Sequence, residues 1–363
     1  MFWSITILAA ITLTSHVQTE KTVVAPYRAW FHEIAEVHQF STSLPESESV
    51  SHVSPVIKSP IEWDELIVSW NAHLKPAQSI TIRAHTVGDS NSKDYIMGIW
   101  TPGKLAAVRR SVPNQSDSYA KVDTDTLILR KPAKQFQLLV EYSGPGSRLS
   151  NLTDLNVCVF NSKLKPHDPL PPNKAAWGKQ LMMAERSQLS YEGGRVWCSP
   201  TSVSMVMSYW ANQLHRPELD EDVTKVASQV LDPLYPGTGN WPFNTAYAGS
   251  FPGMRGYISR FEDISELEDW IEAGIPVVIS VSYKLLKGYS TPEVGGHIVV
   301  VSGFTPTGDV IVNDPWTKFE TGEKVVKTFP RKNLIAAWAK SNNTVYLIHP
   351  IEKAVPIRHT SHW

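Results

Sequence analysis

In the first half of the chain, hydrophobic and polar residues alternate in short runs that are separated by turn residues. From about residue 40 to residue 161, stretches such as VGDSNSKD, TPGK and SGPGS divide these runs. Alternation places every second side chain on one face of an extended strand, so each run predicts a strand with one buried face. The two clearest runs give these apolar faces: Ile80, Ile82 and Ala84, and Phe136, Leu138, Val140 and Tyr142. The pattern predicts an antiparallel β-sandwich over residues 40–161.

A proline-rich stretch separates this region from the rest of the chain. The sequence KLKPHDPLPPNKAAWGK contains four prolines, which disfavour a helix and stiffen an extended backbone. We therefore predict a linker over residues 162–178 and a second domain over residues 179–352.

The second domain opens with a different, helical periodicity. After Cys198, Pro200 suits the first turn of a helix. Apolar residues then recur at helical spacing, namely Val203, Val206, Met207 and Trp210. The stretch DISELEDWIEAG predicts another helix, which ends at Gly274 and is followed by a strand.

A predicted hairpin follows in the stretch GGHIVVVSGFTPTGDVIVNDPW. It comprises the strands His297–Gly303 and Asp309–Asn313, joined by a turn that contains Gly308. Helices and strands together predict an α+β domain after the β domain.

The N-terminus, MFWSITILAAITLTSHVQTE, contains an uncharged run from Phe2 to Leu13. Such a run is too short to span a bilayer and is typical of a secretory signal peptide. The other interpretation is a buried N-terminal strand or helix. We predict a signal peptide over residues 1–19, no stable membrane span after its removal, and a protein that is secreted, periplasmic or at the cell surface.

The charge balance and the motif content exclude several classes of protein. The chain has 363 residues, of which 34 are Lys or Arg and 35 are Asp or Glu, so no general attraction to nucleic acid is expected. The sequence has no zinc-type Cys or His cluster and no GxxxxGK[ST] phosphate loop. We therefore expect no cofactor and no metal.

The chain contains two cysteines, Cys158 and Cys198. Cys158 lies in a predicted strand and is expected to be a small packed residue. Cys198 is expected at the first turn of a helix, where unpaired N–H groups and the helix dipole favour the thiolate. An even number of cysteines in an exported protein also permits a Cys158–Cys198 disulfide.

His297 and Asp314 lie at the open end of the predicted hairpin. The ends of two antiparallel strands lie side by side, so the carboxylate can hold the imidazole in one tautomer. If this end faces the Cys198 helix, a thiol, a base and an orienting carboxylate stand in series. Taken singly, a histidine that opens a strand is more often an ordinary core or surface residue, and NDP is ordinary turn sequence.

Residues from about 179 to 350 resemble a C39-like peptidase domain of the papain-like cysteine peptidase superfamily. The resemblance is carried by ERSQLSYEGGRVWCSPTSVSMVMSYW, GGHIVVVSGF and VIVNDPW, which occur in the family's order. The β domain before them resembles the N-terminal half of secreted bacterial members. The family resemblance implies Cys198 as nucleophile, His297 as general base and acid, Asp314 as the residue that orients it, and Gln188 as an oxyanion donor. Ser199 departs from the Cys-Gly-Pro sequence that is common in the family.

These features together predict an exported hydrolase that cleaves an amide or peptide bond through a thioester acyl-enzyme. Its expected substrate is a peptide or protein, and the β domain is a candidate for binding substrate or cell-surface material. One alternative is an amidase or transpeptidase that uses the same site. Another is a non-catalytic peptide-binding module that retains the fold.

Overall fold

The computed structural model describes residues 27–363, except residues 36, 44–49, 89, 91, 104–108, 147, 236, 294 and 358–361. The predicted signal peptide, residues 1–19, lies outside the described residues. Along the part of the chain that is described, no helix is long and apolar enough to cross a membrane.

The N-terminal domain is an antiparallel β-sheet domain. Its strands are β1 (Ala29–Glu33), β2 (Ser41–Ser43), β3 (Val50–Val53), β4 (Ile57–Ala72), β5 (Ser79–Thr86), β6 (Tyr95–Trp100), β7 (Ala120–Asp123), β8 (Thr126–Ser143) and β9 (Leu152–Phe160). They belong to one hydrogen-bonded sheet of nine strands with the order β1-β9-β4-β8-β3-β2, while β5 and β7 pair with β8, and β6 pairs with β5. The sheet therefore includes β1, which precedes residue 40.

The long strand β8 joins the two halves of this sheet. Its first half pairs with β4 and β7, and its second half pairs with β3 and β5. The alternating residues of the second half are buried as the pattern predicts, since Phe136, Leu138, Val140 and Tyr142 are each at most 1% exposed. The predicted all-β domain is confirmed.

Over its described residues, the C-terminal domain combines a six-stranded antiparallel sheet with six α-helices. The strands are β10 (Met254–Arg260), β11 (Val277–Val281), β12 (His297–Phe304), β13 (Val310–Asn313), β14 (Val326–Phe329) and β15 (Thr344–Pro350), in the order β10-β15-β11-β12-β13-β14. The helices are α1 (Cys198–Leu214), α2 (Val223–Val230), α3 (Trp241–Ala248), α4 (Ile264–Glu272), α5 (Tyr283–Leu286) and α6 (Arg331–Trp338). This arrangement confirms the predicted α+β class.

The central helix α1 is buried, and this fixes the position of its N-terminus. Every residue from Ser199 to Ala211 is buried, including the apolar residues that predicted the helix. The Ser202 hydroxyl donates to the Ile298 carbonyl at 3.2 Å, which ties α1 to β12. The first residue of α1 is therefore held against the start of β12.

The two domains share a continuous interface. The Asn71 side chain of β4 donates to the Gly256 carbonyl of β10 at 2.7 Å and accepts from the Gly256 N–H at 3.0 Å. Arg109, which is fully buried, donates to the carbonyls of Ser228 at 2.9 Å and Leu231 at 3.0 Å. The polar groups of one domain therefore complete the hydrogen bonds of the other.

The proline-rich segment packs along the C-terminal domain. The Trp177 indole N–H donates to Glu268 of α4 at 2.7 Å, and the Asn173 amide donates to Asp269 at 2.8 Å. The domain boundary within residues 162–178 stays a prediction.

Candidate active site

Cys198 is the first residue of α1 and is partly exposed at one wall of a cavity of about 670 Å³. Burial raises the pKa of its thiol, whereas the hydrogen bond and the charge of His297 lower it. The lowering effects outweigh burial, so the pKa of Cys198 lies below its ordinary value. Cys158 is buried in β9, where burial raises its pKa to about 11. Both cysteines are free thiols, so the alternative of a Cys158–Cys198 disulfide is wrong for this structure.

We expect iodoacetamide to alkylate Cys198 at neutral pH and to leave Cys158 unmodified. The rate at Cys198 should rise with pH through a midpoint below about 8.5, because His297 stabilises the thiolate. Peptide mass spectrometry after brief alkylation over a pH series measures both residues at once. Denatured protein is the control, in which both thiols should react. Equal rates in the native protein, or a mass for a bridged pair, would contradict the assignment.

His297 and Asp314 meet at the open end of the β12–β13 hairpin, as predicted. His297 begins β12, and Asp314 directly follows β13. The His297 Nε2 atom lies 2.8 Å from Asp314 Oδ1, and both side chains are buried. His297 also hydrogen-bonds Cys198. Since Asp314 engages Nε2, Nδ1 is the ring nitrogen that is left for a contact with the thiol.

The electrostatics of the pair favour a charged imidazole. Burial alone lowers the pKa of His297, but its hydrogen bonds with Asp314 and Cys198 reverse this effect and raise the pKa to about 9. Burial raises the pKa of Asp314, but His297 and Lys327 together hold it well below its usual range. A thiolate beside a protonated imidazole is therefore favoured between the lowered thiol pKa and about pH 9.

The neighbouring Asn313 makes no such contact. Its side-chain Oδ1 is buried and has no hydrogen-bond partner among the described residues. Asp314 is therefore the one of the two adjacent residues that the structure brings to the histidine.

Sequence reasoning missed two residues that hold Asp314. The Tyr283 hydroxyl and the Lys327 ammonium each donate to Asp314 Oδ2 at 2.6 Å. The ring centroids of Tyr283 and His297 are 4.5 Å apart. The available signal was the alternation Val325, Lys327, Phe329, in which a lysine occupies an otherwise apolar face.

Gln188 also reaches the cavity, although ten residues separate it from Cys198. It is 1% exposed, and its Nε2 donates one hydrogen bond to the Gly194 carbonyl at 2.8 Å. The intervening loop reverses at Gly193, whose φ is 75°. A Cβ on Gly194 would overlap the Gln188 carbonyl oxygen, so only glycine lets the two segments approach this closely. Nε2 carries a second N–H, and Oε1 is buried without a hydrogen-bond partner among the described residues.

Ser199, which replaces the common glycine, points away from the cavity. It is fully buried, and its hydroxyl lies 3.0 Å from the Tyr346 hydroxyl. The substitution therefore changes the core beneath α1 and leaves the cavity wall unaltered.

The cavity is a cleft within the C-terminal domain. Its lining consists of Gln188, Arg195, Val196, Cys198, Tyr235, Gly237, Thr238, Gly239, Trp241, Ser280, Tyr283, Glu293, Gly295, Gly296, His297, Ile298 and Trp316. Four glycines in this set leave room for an extended backbone beside the thiol. Across the parts of the chain that the structure describes, no group of three His, Cys, Asp or Glu side chains is placed to hold a metal ion.

Comparisons with known proteins match both regions of the chain. The family model described as the Peptidase C39-like family matches residues 180–346. The one described as the Peptidase C39 N-terminal domain matches residues 14–155. Among curated proteins, none matches the chain significantly. The chain therefore carries, in this order, a region that matches the C39 N-terminal domain and a region that matches the C39-like peptidase family.

Proposed function

We propose that this protein is an exported cysteine peptidase that hydrolyses a peptide bond through a Cys198 thioester. The match of residues 180–346 to a peptidase family supports a cysteine peptidase-like function with a peptide or protein substrate. The observation that carries the catalytic assignment is the series Cys198, His297 and Asp314, in which the imidazole bonds the thiol on one side and the buried carboxylate on the other.

In the first half of the reaction, the Cys198 sulfur attacks the carbonyl carbon of the scissile bond. His297 Nδ1 already holds the proton of the thiolate–imidazolium pair, and Asp314 stabilises this imidazolium. The tetrahedral intermediate collapses when the C–N bond breaks and His297 gives its proton to the departing amine. The product is a thioester on Cys198.

In the second half, water attacks the thioester carbonyl while His297 accepts a proton from the water. The C–S bond breaks and the carboxylic acid leaves. The proton that His297 accepted from water stays on the regenerated pair of thiolate and imidazole. The two donors proposed for the oxyanion are the backbone N–H of Cys198 and the side-chain amide of Gln188.

A test of this reaction uses a library of blocked peptides with the protein in water and in water with an added amine. Hydrolysis predicts products that have gained one water molecule at the cut, in both conditions. Products that carry the amine instead would favour the transpeptidase alternative. Retention of peptides without any cut would favour the binding module.

Gln188→Ala should lower kcat about a hundredfold to a thousandfold and leave KM nearly unchanged. The reason is that the amide meets the substrate oxygen only when that oxygen becomes negative. Steady-state kinetics measure the two constants, and the alkylation rate of Cys198 shows that the thiol stays intact. A kcat within about threefold of wild type would remove Gln188 from the site.

Lys327 is a positioning residue in this proposal, because it acts on the reaction only through Asp314. Lys327→Met removes a cation that competes with His297 for the carboxylate, so the pKa of His297 should rise. We expect the basic limb of the kcat/KM profile to move up by about half a pH unit or more. Lys327→Arg should keep the wild-type limb, and Lys332→Met, at an exposed site on α6, is the matched control. A loss of activity with an unmoved limb would mean that Lys327 has only a structural role.

Export is a further part of the proposal and is supported by the apolar run from Phe2 to Leu13. Mass spectrometry of the protein from its native source should find a mature N-terminus near residue 20. An intact Met1 on the native protein would contradict export by this route.

A further inference from the structure

The leaving-group side of the cleft is identified by the chemistry of His297. Because His297 protonates the departing amine, the substrate segment after the scissile bond must lie on the histidine side. Trp316 marks this side, since its backbone N–H donates to Asp314 Oδ1 at 2.9 Å and its side chain lines the cleft. Side chains around Trp316 therefore contact the substrate segment that follows the scissile bond.

Cationic side chains surround Trp316. The Arg195 guanidinium lies 5.6 Å from the centre of the Trp316 ring at the rim of the cleft. A second cavity of about 330 Å³ shares Trp316 and Tyr283 with the cleft, and Lys287, Lys318 and Lys327 line it. The cleft thus continues, past Trp316, into a basic cavity.

Not all of these cations are neutralised by the protein. Lys327 forms an ion pair with Asp314. Among the described residues, Arg195, Lys287 and Lys318 form no ion pair with a carboxylate. The Lys287 ammonium lies 4.0 Å from the centre of the Tyr283 ring, and all three side chains belong to exposed residues.

One acidic side chain, Glu323, also lines the second cavity. Its Oε2 accepts a hydrogen bond from the Lys318 backbone N–H at 3.1 Å. In the cleft itself, Glu293 offsets the charge of Arg195. In the second cavity, Lys287 and Lys318 against this single carboxylate leave an excess of one positive charge. The second cavity adjoins the cleft, because Tyr283 and Trp316 line both.

We propose that these residues form a cationic subsite that selects substrates with acidic residues in the segment that follows the scissile bond. The inference rests on the proposed peptidase function and names the substrate class that the function would take. A substrate carboxylate two to four residues after the cut would form ion pairs with Lys287 and Lys318. Such pairing is largely solvent-exposed, so it should tune kcat/KM and weaken as salt is added.

The test compares cut sites in a blocked peptide library for the wild type and for Lys287→Glu/Lys318→Glu. The matched control is Lys163→Glu/Lys165→Glu, which makes the same change of charge at exposed positions of the proline-rich segment. For the wild type we expect Asp and Glu to be enriched two to four positions after the cut. The Lys287→Glu/Lys318→Glu variant should lower kcat/KM for such peptides by about fivefold or more, and change it less than about twofold for neutral peptides.

The outcomes separate the subsite from the peptidase activity. Enrichment that the Lys287→Glu/Lys318→Glu variant removes, and the control keeps, supports the subsite. Cleavage with no acidic enrichment, or enrichment that both double variants keep, overturns the subsite and leaves the peptidase proposal intact. If the wild type cuts no peptide while Cys198 still alkylates, the peptidase proposal fails and the subsite fails with it.

Discussion

Cys198→Ala should abolish peptide hydrolysis, with a loss on the order of 10⁶-fold in kcat, while the protein keeps its fold. The variant removes the sulfur that we propose forms the thioester, and among the described residues no other nucleophile is hydrogen-bonded to His297. Turnover of a library-derived peptide measures the loss. Thermal unfolding should change little, because Cys198 is partly exposed at the end of α1.

The second cysteine provides the matched control for this experiment. Cys158→Ala makes the same substitution in the buried strand β9, so it should cost stability and leave the turnover of the folded protein near that of wild type. A Cys198→Ala protein that still cleaves peptides would overturn the thioester mechanism. Inactivity of both folded variants would mean that the substitution acts through something other than the nucleophile.

Asp314→Ala should lower kcat/KM by about 10³- to 10⁴-fold, whereas Asn313→Ala should lower it by less than about tenfold. The carboxylate binds His297 Nε2 directly, and Asn313 does not. Because Asp314 raises the pKa of His297, its removal should lower that pKa and move the basic limb of the profile to lower pH. The pH dependence of kcat/KM for both variants is the measurement.

Asp314→Asn keeps the folded site testable if the alanine variant is unstable. An amide oxygen can still accept from the ring, so activity should lie between that of Asp314→Ala and wild type. The reverse order, with Asn313→Ala the more damaging change, would show that Asn313 and not Asp314 orients His297.

The sequence predicted those parts of the site that depend on local pattern. Helical spacing after Pro200 places Cys198 at a helix start, and strand alternation places His297 and Asp314 at the same end of a hairpin. Each of these inferences needs only a few consecutive residues and the ordinary geometry of helices and strands. The structure has all three residues where these patterns put them.

The support around Asp314 depends on contacts between distant segments, and so could not be predicted. Lys327 reaches the carboxylate because β14 pairs with β13, with Lys327 opposite Val312. Nothing in the local sequence of either strand fixes this pairing or its register. Tyr283 reaches it from α5, a single short helix that begins after β11. For the same reason, local pattern alone could not predict that Gln188 lies in the same cleft as Cys198, because the loop between them has no periodicity.

The interface between the domains restricts which domain of a related protein could replace either of them. The Gly256 N–H uses Asn71 as its acceptor, and the Ile258 N–H uses the Ser69 hydroxyl. A C-terminal domain transplanted without its own β domain would carry these donors unpaired, at about 1–3 kcal/mol each where they stay buried. A hybrid of two related proteins would therefore need matching residues on both sides of the junction, so the two domains are constrained to diverge together.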